Sequence, residues 1–189
     1  MTPRLLLSAG LALLAAAPLS ARELGAHVHG TGTLDIALEG TGVAMELHAP
    51  GADIVGFEQA AETAEARATL AAAVTALEQP LTLFTLPEAA GCTVIGAEVT
   101  AEAEGGAPAA EQAHTDHDHD HDGTYQHMEF HARYVLDCTA PDRLDHIGFA
   151  YFTRFPGAQK LKVRIVSATG AAMAEVTRAA PELDLRSLH

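Results

Sequence analysis

From Thr31 onward, large apolar residues alternate with polar or small ones: Leu34, Ile36 and Leu38, then Val43, Met45 and Leu47 after Gly40-Thr41-Gly42. A period of two with a glycine-flanked break predicts a β-hairpin with one buried face. The stretch APGADIVGFEQ, Ala49 to Gln59, interrupts the pattern with Pro50, Gly51 and Gly56; Ile54, Val55 and Phe57 are expected there as a buried loop anchor. The spacing of Ala64, Ala68, Leu70, Ala71, Ala72, Val74 and Leu77 predicts a helix over 60–77, ended by Pro80. Glu58, Glu62 and Glu65 load its start with negative charge, as the helix dipole favours.

A short extended piece is expected over 81–86, and a strand over 92–99 with Cys92, Val94 and Gly96 on one face. From Ala101 to Gly123 no apolar side chain larger than alanine appears, so the insertion 101–126 is expected to stay disordered without a metal. Regularity returns with Met128, Phe130, Ala132, Tyr134 and Leu136, alternating with His127, Glu129, His131, Arg133 and Val135. That predicts a long strand ending at Cys138, with His127, Glu129 and His131 on one face. Asp142 is expected to cap a short helix through Leu144, Ile147 and Tyr151, stopped at Pro156-Gly157. Leu161, Val163 and Ile165 mark another strand, a last strand is expected near Ala172 to Thr177, and Leu183 and Leu185 form a tail. The fold class is α+β: antiparallel hairpins packed with one long and one short helix, plus a disordered His/Asp-rich loop.

The first 21 residues change the compartment. Arg4 precedes an apolar run from Leu5 to Ala17 and a small-residue end, which predicts a secretory signal peptide over 1–21 cleaved after Ala21. The run is short for a bilayer span and no second one follows, so no membrane insertion is expected after cleavage. The remaining 22–189 reads as a single metal-binding domain carrying the insertion 101–126. Losing Arg4 takes the formal charge from −14 to −15, which argues against nucleic acid and anionic lipid as partners and suits the collection of cations. Cys92 and Cys138 are the only cysteines. In an oxidising compartment they are expected to pair, the alternative being two thiols that ligate metal.

The candidate chemistry is concentrated in His114–Asp122, HTDHDHDHD, where His114, His117, His119 and His121 alternate with Asp116, Asp118, Asp120 and Asp122. Imidazole and carboxylate at this density suit Zn²⁺ and, less selectively, Cu²⁺ or Ni²⁺. A ligating imidazole commonly donates its second N–H to a carboxylate, a part the aspartates can play. His27 and His29, two apart before the first strand, would point the same way on an extended backbone and could share a metal. His127 and His131 form a strand-borne pair. An insertion of about 26 residues explores on the order of 28 Å, enough for its imidazoles to reach that pair. His48, beside Glu46 at the end of the second strand, reads as a surface residue.

Taken together, HVHG at 27–30, APGADIVGFE at 49–58, Cys92, Cys138, HMEFHARY at 127–134 and FPGAQKLKV at 155–163 resemble the ZrgA family of zinc-regulated periplasmic proteins. The resemblance spans essentially the whole mature chain. It implies a periplasmic zinc-binding protein that captures or buffers Zn²⁺ and supplies it to a zinc uptake transporter. Members of that family commonly carry histidine after GFE, where this chain has Gln59. Two other functions are weighed. A zinc-dependent hydrolytic enzyme would need three fixed ligands, an open position and a general base, and HMEFH has strand spacing, unlike the helical HExxH. A copper- or nickel-handling protein is the other; scattered Met45, Met128 and Met173 disfavour Cu⁺.

Overall fold

The computed structural model describes residues 28–103, 107–108 and 127–188. Alternation does what it predicts in the first hairpin. Strand β1 (Thr31–Glu39) runs antiparallel to β2 (Gly42–Pro50), with Leu34 opposite Leu47 and Ile36 opposite Met45 on the buried face. Gly40, at φ 56°, supplies the left-handed residue of the turn. The interrupted stretch that follows is partly helical: α1 (Gly51–Ile54) is a single turn closed by the Val55 N–H on the Gly51 carbonyl at 2.8 Å.

The long helix, α2 (Ala64–Leu77), starts four residues later than expected. Thr63 is its N-cap, its hydroxyl accepting from the Ala66 N–H at 3.0 Å. Its packed stripe is Leu70, Ala73, Val74 and Leu77, whereas Ala64, Ala68, Ala71 and Ala72 are exposed. Leucine and valine bury more area than alanine, so they set the docking face. The piece expected to be extended over 81–86 splits into α3 (Pro80–Leu83) and a two-residue strand, β3 (Phe84–Thr85).

Strand β4 (Cys92–Ala103) is longer than expected and turns back at β5 (Ala107–Pro108), which pairs with Glu102 and Ala103. A bulge between Val94 and Gly96 breaks the face shared by Cys92, Val94 and Gly96, leaving Val94 and Ile95 exposed. After the insertion comes β6 (Met128–Cys138), whose even-numbered residues are all buried. Cys92 and Cys138 are direct cross-strand partners and form a disulfide.

The C-terminal third departs most from expectation. Pro141–Arg143 is a single 3₁₀ turn, Ile147 lies in β7 (His146–Phe149), and the short helix is only α4 (Tyr151–Arg154). Then follow β8 (Lys160–Ser167), β9 (Gly170–Thr177) and β10 (Glu182–Asp184). Leu183 and Leu185, expected as a tail, are buried.

Among the described residues, seven strands form one sheet in the order β5-β4-β6-β2-β1-β8-β9, and three form a small sheet, β10-β7-β3. Every pair in both sheets is antiparallel except β1 with β8, which run parallel and make the large sheet mixed. One face of the large sheet packs on the helices and small sheet through Phe84, Phe130, Tyr134, Tyr151, Phe152 and Phe155. Its other face carries rows of polar side chains, and there Arg133 pairs with Glu46 and Arg164 with Asp35. No helix among the described residues is long and apolar enough to cross a membrane.

Candidate metal centre

The described residues of HVHG, with APGADIVGFE, HMEFHARY and FPGAQKLKV, converge at one end of the large sheet, while Cys92 and Cys138 pair at the opposite end of β4 and β6. Val28 to Thr31 form a turn closed by the Thr31 N–H on the Val28 carbonyl at 2.9 Å. Gly30 occupies its third position at φ 78°, a conformation that favours glycine. The Gly30 N–H donates to Asp53 Oδ1 of α1 at 2.7 Å, and its carbonyl accepts from the Gln159 and Lys160 N–H groups. Asp53 is buried, and burial pushes its carboxyl pKa up against the opposing pull of that N–H. Gly157 fits beneath because it has no Cβ, which would stand 2.6 Å from the Asp53 carbonyl oxygen. Gly51 is packed as tightly, 2.7 Å from the Phe57 carbonyl oxygen by the same measure. These contacts fix the turn bearing His29 and the loop bearing Glu58.

Glu58 is where those segments meet. Its Oε1 lies 2.6 Å from His29 Nε2 and its Oε2 lies 2.5 Å from His127 Nδ1. The backbone is tied in as well, because the Met128 N–H donates to the Glu58 carbonyl at 2.8 Å. Burial works to raise the Glu58 pKa, but the two imidazoles outweigh it and hold the carboxyl below its usual range. An ionised carboxylate only accepts, so the nitrogens facing it carry protons. The opposite nitrogens, His29 Nδ1 and His127 Nε2, are then presented to a metal, the carboxylate–histidine arrangement common around zinc. Both histidines are largely exposed. Gln59, next to Glu58, is exposed too.

A second cluster stands on the polar face of the sheet. In register, Thr100 of β4, His131 of β6, His48 of β2 and Thr33 of β1 form one row across four strands. In the neighbouring row Glu129 lies between Glu102 and Pro50. Glu129 Oε2 is 2.9 Å from His131 Nε2, and Glu129 Oε1 is 3.9 Å from His48 Nδ1. The two imidazoles meet edge to face, with ring centroids 4.4 Å apart. His48, Glu129 and His131 each offer a ligand atom within 4.8 Å of the others, and among the described residues this is the group of three that does so. The hydrogen bond that His131 donates to Glu129, helped by the charges of Glu129, Glu102 and Glu46, raises the His131 pKa above 6.5 against the effect of burial.

The histidines singled out in the sequence therefore divide. His29 and His127 come together on Glu58, while His131 joins Glu129 and His48 instead of pairing with His127. His27, His114, His117, His119 and His121 lie outside the described residues. Three participants escaped the sequence reading as site residues. The sequence pattern places Glu58 at the helix dipole, yet α2 begins six residues beyond it. His48 was read as a surface residue, because its partner is set by cross-strand register that sequence spacing does not reveal. Glu129 was placed on the histidine face but given no role; its alternation with His131 was the available signal. Cys92 and Cys138, bonded to each other, are not thiol ligands.

The family model described as "ZrgA family zinc uptake protein" matches residues 26–185. That range takes in the His29 turn, Glu58, both cysteines and all of β6. No curated protein matches the chain.

Proposed function

Because the chain belongs to the ZrgA family of zinc uptake proteins, we propose that it captures or buffers Zn²⁺ in the periplasm and supplies it to a zinc uptake transporter. The observation that carries this reading is the clasp of His29 and His127 by Glu58, three residues remote in sequence but joined by contacts of 2.6 and 2.5 Å. Such a clasp orients two imidazoles toward an ion and leaves much of the coordination sphere to other groups. Those groups come from His27, two residues from His29, and from His114, His117, His119 and His121 in the insertion that leads into His127. A site completed by a histidine-rich tract of many interchangeable donors captures ions and yields them to a tighter acceptor, which a closed four-ligand structural site does not.

The periplasmic location is supported by the signal-like residues 1–21 and by the Cys92–Cys138 disulfide, which belongs to an oxidising compartment. A zinc-dependent hydrolase and a copper or nickel handler are the alternatives; the family description favours zinc uptake over both. Calorimetric titration of the exported chain with Zn²⁺ at pH 7.5 and pH 5.5 tests the proposal. Affinity should fall steeply at the lower pH, because protons compete with the ion for imidazole nitrogens. Equal affinity at the two values would remove imidazole ligation, and with it the proposal.

A further inference from the structure

We propose that His48, Glu129 and His131 form a second Zn²⁺ site, independent of the His29–Glu58–His127 clasp, with three protein ligands and a coordination position left to solvent. The identity of the ion rests on the zinc reading above; the existence of the site does not.

The case begins with the backbone. His131 and Glu129 stand on β6 and His48 on β2, both central strands with a hydrogen-bonded neighbour on each side. All three side chains project from the polar face, alternating with Met128, Phe130 and Ala132 on β6 and Leu47 and Ala49 on β2, which anchor the opposite face in the core. Donors mounted this way are positioned by the sheet itself and need no loop ordering to converge. In tetrahedral zinc with bonds of about 2.1 Å, ligand atoms stand about 3.4 Å apart. The three atoms already lie within 4.8 Å of one another, so side-chain rotation alone closes the gap.

The electrostatics point the same way. Glu129 is only 8% exposed, and a carboxylate so buried demands positive charge nearby. Its contacts include His131 and His48. Glu46, 3.5 Å from His48 Nε2, and Glu102, opposite Glu129 on β4, add negative potential around the cluster. Arg133 lies close by but is engaged with Glu46 at 3.0 Å. Two imidazoles packed edge to face beside a buried carboxylate offer convergent nitrogen and oxygen donors, and the acidic surround attracts a divalent ion to them. Two histidines and one glutamate are a zinc ligand set that ordinarily leaves the fourth position to water. Here His48 and His131 remain about one-third exposed, so solvent reaches that position.

No ligand is shared with the clasp. Glu129 sits two residues from His127 and two from His131, about 7 Å along the strand from each. Two ions can therefore be held in succession along β6, one where the insertion enters and one farther into the sheet.

The test follows assigned imidazole ¹⁵N–¹H correlations of the full exported chain during titration with Zn²⁺. His48 and His131 are expected to shift together and saturate, and to do so equally in the His29→Ala/His127→Ala double variant. Glu129→Gln, which keeps size and shape, should raise the zinc concentration for half-saturation of His48 and His131 by about tenfold or more. The proposal is overturned if His48 and His131 stay unmoved at a tenfold excess of zinc over protein, if their response disappears in the double variant, or if Glu129→Gln leaves half-saturation unchanged. If His48 and His131 shift while His29 and His127 do not, the second site stands and the clasp reading fails.

Discussion

Replacing Glu58 by glutamine probes the clasp most directly. The amide preserves length and planarity, so the loop anchored by the Met128 N–H on the Glu58 carbonyl should hold, while the negative charge between His29 and His127 is lost. An ion on the far nitrogen of either ring would sit about 6 Å from the carboxylate, given zinc–nitrogen bonds of about 2.1 Å. His29 and His127 are 67% and 47% exposed, so the water-like limit applies. A divalent ion and a unit charge at that distance then attract by about 1.4 kcal/mol, a tenfold change in affinity. Loss of an orienting carboxylate behind a zinc-bound histidine costs 10- to 100-fold in comparable sites. Affinity of the clasp for Zn²⁺, read by competition with a chromophoric chelator at pH 7.5 and about 0.01 M salt, where screening over this distance is slight, should therefore fall by about 10- to 100-fold. A change of less than about threefold, alongside a clear loss in His127→Ala, would show that the carboxylate does not support the ion and would refute the electrostatic argument.

Three further outcomes are expected. Because the His131 pKa is raised, protons should compete strongly with zinc at the His48–Glu129–His131 cluster and occupancy at limiting zinc should fall with pH; cluster occupancy followed by NMR at pH 7.5, 6.5 and 5.5 checks this, and flat occupancy would contradict it. Asp53→Ala leaves the buried Gly30 N–H without its acceptor and should cost about 1–3 kcal/mol in urea unfolding. Since burial raises the folded-state Asp53 pKa, its stabilising contribution is full below the unfolded value of about 3.8 and is lost as pH rises through the folded value; the wild type should gain on Asp53→Asn when acidified through that window. Reducing the Cys92–Cys138 bond, which spans 46 residues, should lower stability by about 4 kcal/mol in the chain-entropy model, seen as a melting shift with reductant.

What the sequence disclosed and what it hid follow from the range of the interactions. The first hairpin and β6 were legible because a buried face imposes a period of two over eight or more residues. The disulfide was legible from cysteine number and compartment. Single-turn helices such as α1 and α3, and strands as short as β3, carry too few residues for any period to show. Ile147 was read as helical because Leu144, Ile147 and Tyr151 have helical spacing, yet cross-strand pairing with Leu183 decides its conformation. The parallel pairing of β1 with β8 depends on contacts more than a hundred residues apart in sequence, which no local pattern reports. The ligand partition failed for the same reason: His127 and His131 look like a pair in sequence, but Glu58 and His48 lie on other segments and draw them apart.

Because Glu58 gathers its two histidines from segments far apart in the sequence, occupancy of the clasp by an ion would be thermodynamically linked to folding. An ion that binds there stabilises the native state by about 2.7 kcal/mol at a hundred times its dissociation constant. On the proposed reading the contiguous run from His114 to Asp122 would also hold zinc in the unfolded polypeptide, and that affinity would offset part of the gain. Shortening the run would thus act in two opposed ways on the rise in melting temperature with zinc, lowering the affinity of the unfolded state while removing donors that complete the clasp.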